Sequence, residues 1–299
     1  MRAVRFFNLY FSKFHLILLS NLLFLPFNAL AIGYAVLMYK LFGGVNITVT
    51  AAAVIILNIG MSGVALVCRY ICTGKEFSLL SAFKKGIKEN AASFMLHGVI
   101  FYIVFAVSYL SIILYYRGTE TNSFFWVPLV ITALVCLAFL FAAYYMNIMS
   151  VTMNIPLKDL YRNCALFSFG ELKNNLMATL ALIILGAVIF TISYIINDMW
   201  AVLFVLGLFA LFILPSTIQY IITFYVYDDM VAILDESQRS RKSDEDEKEE
   251  EPGRPAVSID EAEDISRMTN DSKDEYIFYN GRMIKRSDVE KMLSDQQNE

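Results

Sequence analysis

The chain has 299 residues, 58% of them hydrophobic and 17% charged, with a formal net charge of −4. Such apolar content excludes a solvated disordered chain, and four cysteines without a CxxC pair supply neither a disulfide framework nor the four ligands of a structural zinc site. The net charge conceals two unlike parts: residues 1–227 sum to +7 and residues 228–299 to −11.

Six stretches contain no Asp, Glu, Lys or Arg: Phe14 to Tyr39, Ile47 to Cys68, Ala91 to Tyr116, Thr121 to Leu157, Asn175 to Asn197 and Met199 to Tyr227. Each reaches the ~20 apolar residues that cross a ~30 Å hydrocarbon core as helix. One central Lys, Arg or Asp would cost about 2.5–3.5 kcal/mol on insertion scales, so charge-free runs of this length mark membrane spans. The first stretch follows Arg2 and Arg5 and contains Ala29-Leu30-Ala31, as a signal peptide does. Its apolar character continues to Tyr39, so it is read as a retained span, kinked at Pro26.

The connecting segments set the orientation. One side holds Arg2, Arg5, Lys13, Arg69, Lys75, Lys84, Lys85, Lys88, Lys158, Arg162 and Lys173, and the other only Lys40 and Arg117. Positive charge concentrates on the cytoplasmic side, so both termini are expected there. Trp126, Trp200, Tyr115 and Tyr116 fall at the predicted outer interface. From Glu76 to Asn90, Leu80, Phe83 and Ile87 share a helix face opposite Lys84, Lys85 and Lys88. This segment is expected to lie in the headgroup region, its lysines and the apolar Phe83 and Ile87 forming a lipid or partner surface. Pro156 to Phe167 repeats the pattern, with Leu157, Leu160, Tyr161 and Cys164 as the apolar stripe.

Asn58-Ile59-Gly60-Met61-Ser62-Gly63, then Arg69, then Phe83-Lys84-Lys85-Gly86-Ile87-Lys88-Glu89-Asn90, resembles the YesL-type family of bacterial integral membrane proteins. In weaker form the resemblance runs from about Phe7 to Leu234 and includes Leu22-Leu23-Phe24-Leu25-Pro26. Ile87 replaces the family's second Phe, and its Pro-x-x-Thr before Gly60 is missing. The resemblance implies a protein of the bacterial cytoplasmic membrane, associated with carbohydrate uptake, and carries over no catalytic residue.

Chemistry-bearing motifs are sparse. No GxxxxGK[ST], HExxH or GxSxG occurs, so no catalytic residue, cofactor or metal is assigned. Asp228-Asp229 opens an acidic segment, where solvated carboxylates are the ordinary outcome. The polar candidates within the spans are Asn58, His97, Asn147 and Gln219, with Asn21 beside them. They are read either as interhelical hydrogen-bond formers, worth about 0.6 kcal/mol each, or as the lining of a path for a neutral solute. His15 and His97 sit near inner span ends.

The remainder is tail. Asp244 to Glu251 is almost wholly acidic, so residues 228–274 read as a disordered tether. Within residues 275–299, Tyr276–Tyr279 and Arg282–Lys285 flank Asn280-Gly281, a hairpin signal, and Ser287 with Glu290 forms a capping box. A ββα unit of that size needs a surface to dock on.

The fold class expected is all-α: a six-helix, N-in/C-in membrane domain over residues 1–227, with a short cytoplasmic ββα-like element at the end of the tail. The expected role is non-enzymatic, an accessory or assembly partner of a membrane system such as carbohydrate uptake. The alternative is a facilitator or permease for a small neutral solute such as a sugar. The expected partners are the lipid bilayer and a carbohydrate transporter complex or other cytoplasmic-side protein, and no nucleic acid.

Overall fold

The computed structural model describes residues 2–43, 47–196, 198–249, 276–279 and 282–285. In chain order the helices are α1 (Arg2–Ser12), α2 (Phe14–Phe42), α3 (Ile47–Thr73), α4 (Leu79–Thr119), α5 (Trp126–Thr152), α6 (Leu157–Gly170), α7 (Leu172–Ile195), α8 (Met199–Phe212) and α9 (Leu214–Glu249). A 3-10 turn at Ser123–Phe125 leads into α5, held by the Asn122 side chain accepting from Phe124 N–H at 2.9 Å. Residues 1–151 and 157–227 form one compact unit; residues 152–156 and 228–299 form another.

In the first unit α2, α3, α4, α5 and α7 are each long and apolar enough to cross a membrane, and α8 with the first part of α9 reaches that length only as a pair bent by 52°, either one broken span or a re-entrant turn. The chain is therefore a helical polytopic membrane protein in contact with the bilayer. In the second unit β1 (Tyr276–Tyr279) pairs antiparallel with β2 (Arg282–Lys285), Tyr276 opposite Lys285 and Tyr279 opposite Arg282. The Asn280-Gly281 turn, the capping-box segment and residues 250–274 of the expected tether lie outside the described residues, while its residues 228–249 fall within α9.

The helices depart from the sequence expectation in three places. Residues 2–12, read as a basic flank, form a separate helix whose Phe6 packs against Tyr220 and Phe224 of α9 at ring distances of 5.3 and 5.1 Å. The expected boundary between a surface helix ending at Asn90 and a span opening at Ala91 is absent, because α4 runs unbroken for 41 residues. Ala82, Phe83, Gly86, Asn90, Phe94 and His97 all recur on one buried face, so one 3.6-residue period continues through the lysine segment into the span. Finally, the run from Met199 to Tyr227 is two helices. Pro215 has no backbone N–H and its ring obstructs the carbonyl four residues back, so the helix cannot continue through Ile213.

The antiparallel α3–α4 pair is packed closest. A Cβ on Gly86 would sit 2.6 Å from the Ser62 carbonyl oxygen, and one on Gly98 would sit 3.1 Å from Ile55 Cα. Small residues at a crossing let backbones approach, which is how helices gain dispersion contact where lipid offers no hydrophobic drive.

Burial is concentrated at one end of the spans, the end carrying the basic segments. Ile17, Ser20, Asn21 and Phe24 on α2 are buried, as are Ser62 to Cys72 on α3 and most of Phe141 to Val151 on α5. Beyond that end the same helices turn outward. Phe105 and Tyr109 on α4, Leu134 and Val135 on α5, Ile183 and Phe190 on α7 and Phe204 on α8 are all exposed, hence lipid-facing in a bilayer.

Candidate functional site: a polar layer at the basic end

The interhelical hydrogen bonds described in the first unit fall within the packed basic end. α5 carries two of the polar residues, Asn147 and Ser150, three positions apart and hence on neighbouring faces. Asn147 Nδ2 donates to Gln219 Oε1 at 3.2 Å, and Gln219 Nε2 donates to Thr223 Oγ1 at 3.3 Å. Two of the four polar candidates are thus brought together. Asn147 Oδ1 is buried with no hydrogen-bond partner.

His97 lies elsewhere in the layer and is completely enclosed. Its Nε2 is 2.7 Å from Ser150 Oγ and its Nδ1 is 2.8 Å from Tyr161 OH. Serine, imidazole and a third group in that order match the nucleophile–base–orienter arrangement of acyl-transfer enzymes. The third group here is a phenol. Burial, with neighbouring Cys164 adding to it, pushes Tyr161 up to about 12. At neutral pH it brings no negative charge to stabilise an imidazolium, as the carboxylate of a triad does. Hydroxyls on both sides can donate or accept, so a neutral ring of either tautomer is satisfied. The chain Tyr161–His97–Ser150 acts as a strut joining α6, α4 and α5.

Asn58, the remaining candidate, bonds its own helix at Val54 O, 3.0 Å away, and packs beside Gly98. It joins neither group.

Asn21 does more than a generic interhelical donor. Its Nδ2 donates to the Phe212 and Ile213 carbonyls at 2.9 and 3.1 Å, while its Oδ1 accepts the Ser216 N–H at 2.9 Å. Ser20 Oγ meets Ser216 Oγ at 2.6 Å. One α2 side chain thereby replaces the backbone partners that the α8–α9 break removes, as a broken helix at membrane depth requires. Asn175 does similar work at the α6–α7 junction, donating to Ser168 O at 3.0 Å.

The residues expected as a lipid or partner surface divide. Lys84, Lys85 and Lys88 are exposed, Lys85 lying 3.9 Å from Glu89 one turn on. Ile87 is half-buried. Phe83 is not surface at all: at 4% exposure it packs over Gly63, where a Cβ would fall 2.7 Å from its ring. The residue missed outright is Arg69. Counted as a charge in a loop, it is enclosed near the end of α3, its Nη1 donating to Val151 O at 2.7 Å. Its position three residues inside the buried run that ends at Cys72 is invisible to a charge count. Among the described residues no three His, Cys, Asp or Glu side chains gather at metal-ligand spacing.

No protein-family model matches the chain, and no curated protein and no solved structure matches it either. The YesL-type reading rests on its own residues.

Proposed function

We propose that the chain is a non-enzymatic protein of the bacterial cytoplasmic membrane, with both termini inside, acting as an accessory or assembly partner of a membrane system. The observation that carries this reading is where the polar groups go. Asn21, His97, Ser150, Asn147, Gln219 and Asn175 bond one another, neighbouring hydroxyls or backbone groups near helix breaks, Asn147 and Asn175 through Nδ2 alone, with Oδ1 buried and unpartnered. What faces outward is apolar span surface and the lysines of α4, which are the materials of lateral association and of a charged docking edge. A role in carbohydrate uptake is supported by the YesL-type resemblance alone. The pairing of Tyr276–Tyr279 with Arg282–Lys285 supports a hairpin in the tail, and its small size is the argument that it docks on a partner.

Crosslinking in the native membrane tests the reading. The expected product joins the full-length chain to another integral membrane subunit and is lost when Lys84, Lys85 and Lys88 are reversed to Glu. Sugar uptake by vesicles containing this protein alone would overturn it in favour of a facilitator. That second reading has one observation behind it, the bend between α8 and α9, since discontinuous helices build the substrate sites of many carriers.

A further inference from the structure

Helix α1 presents three rows of side chains to three surroundings. Phe6 and Tyr10 form the packed row: Phe6 is buried against Tyr220 and Phe224, and Tyr10 OH lies 3.1 Å from Thr217 Oγ1. Asn8 and Ser12 form a polar row that is exposed, with His15 continuing it on α2. Val4, Phe7 and Phe11, at i, i+3 and i+7, form an apolar row that is just as open, Phe11 with 68% of its surface exposed. The rings of Phe7 and Phe11 stack along it, 6.3 Å apart. Apolar residues scattered singly need no explanation, but a contiguous row does. Two observations identify what covers it. The spacing carries into α2, where Phe14, Leu18 and Leu22 are exposed in turn. Helical bonding passes through the joint, Lys13 N–H donating to Leu9 O at 3.1 Å and Ile17 N–H to Lys13 O at 3.2 Å. The row on α1 therefore prolongs the exposed apolar face of a helix long enough to cross the membrane. The second observation is depth. The partners of Phe6 lie within Leu214–Ile233, the apolar segment paired with α8, and Arg2 reaches Asn174 near the start of α7. Helix α1 thus lies alongside membrane-length helices, where lipid is the surrounding medium.

We propose that α1 is a lipid-binding helix seated at the headgroup–acyl boundary of the leaflet at the basic end. Val4, Phe7 and Phe11 enter the upper acyl chains, while Asn8 and Ser12 meet headgroups and water. Amphipathic helices of this kind bury their apolar face ~5–10 Å into that boundary. The exposed Lys13, at the joint with α2, extends its head along its stem to the headgroups. Helix α1 carries no carboxylate of its own to repel an anionic headgroup, since the first acidic residue of the chain is Glu76. The seat does not depend on the accessory role, or on which side of the membrane the basic end faces.

The test uses the full-length protein carrying Trp126→Phe and Trp200→Phe, in nanodiscs of phosphatidylcholine and phosphatidylglycerol that leave both faces open to water. A single tryptophan is then introduced as Phe7→Trp, Phe11→Trp, Asn8→Trp or Ser12→Trp, one per protein. Each is quenched from the bilayer by phosphatidylcholine brominated near the headgroup end of its chains, and from water by acrylamide. Phe7→Trp and Phe11→Trp should be quenched severalfold more by the brominated lipid than Asn8→Trp and Ser12→Trp, and the order should reverse with acrylamide. Strong acrylamide quenching at all four positions would place α1 in water. Protection of positions 7 and 11 from both quenchers would mean that a second copy of the chain covers the row. Equal quenching by lipid at all four would mean that the helix has no separate lipid face. Each of these three outcomes overturns the proposal. The two apolar-row variants report separately, and each keeps an aromatic ring at its position, so either one alone decides between the outcomes if the other fails to fold.

Discussion

Asn21 shows how one side chain makes a helix break tolerable. Removing it strands two carbonyls and one N–H in a buried site, and each unsatisfied group costs about 1–3 kcal/mol. Asn21→Ala should therefore lower the unfolding midpoint in detergent markedly. Asn21→Asp should do so more severely, because a carboxylate can accept from Ser216 N–H but repels both carbonyls. A second expectation concerns Cys164 on α6, which burial pushes up to about 12. A free thiol in the unfolded chain titrates near 8.5. The folded state thus holds the proton more tightly, and the contribution is complete below about pH 8.5. It declines as pH rises toward 12, because only the unfolded chain ionises in that window. Unfolding followed across this range should fall more steeply for wild type than for Cys164→Ala, and Cys164 should resist alkylation at pH 8 until the protein unfolds.

Among the elements, the α3–α4 hairpin is the most exacting. Gly86→Val would drive a side chain into the Ser62 carbonyl, and overpacking of this kind costs about 1–3 kcal/mol or more. Gly186→Ala on α7 meets nothing within 4 Å and should be neutral or stabilising, by up to about 1 kcal/mol through helix propensity. Thermal midpoints of the two variants, measured side by side, separate close packing from mere glycine loss. The spans themselves were legible because charge is intolerable inside hydrocarbon, so its absence draws their outline in the sequence. The fault between α8 and α9 was not. Apolar residues run straight across it, and Pro215 alone signalled the interruption, whereas Pro26 lies within α2 without ending it. The lysine segment of α4 misled for a related reason: its amphipathic pattern fits a headgroup helix and a helix packed on α3 equally well. Of the polar candidates, the pairing of Asn147 with Gln219 was within reach of sequence only as a type, since which helices meet is a tertiary fact. Arg69 was mistaken because a charge near a span end is usually a topology signal.

Taken whole, the membrane unit is well packed at the basic end and thinly packed at the other. Amide exchange should reflect this, with Val64 to Ile71 and Ile148 to Val151 exchanging only on global unfolding and the segments around Phe105, Leu134 and Ile184 opening at lower cost. Uniform protection along α4 would contradict it. Orientation is a separate matter, and cysteines at Thr119 and Asp198 should react with an impermeant reagent in intact cells while those at Ser78 and Lys158 do not; the reverse pattern would invert the assignment. The register of the α3–α4 hairpin has a consequence for where the bilayer begins. Gly86 is level with Ser62 and Gly63, so the exposed Lys84, Lys85 and Lys88 flank the middle of α3 rather than its end. Lysine heads extend along their stems to water or headgroups, so this stretch of α4 meets them on one face while α3 beside it stays enclosed. Bilayer thickness, which tilts and strains ordinary spans through hydrophobic mismatch, would act chiefly on the thinly packed ends and leave the resistance of the packed core to heat almost unchanged.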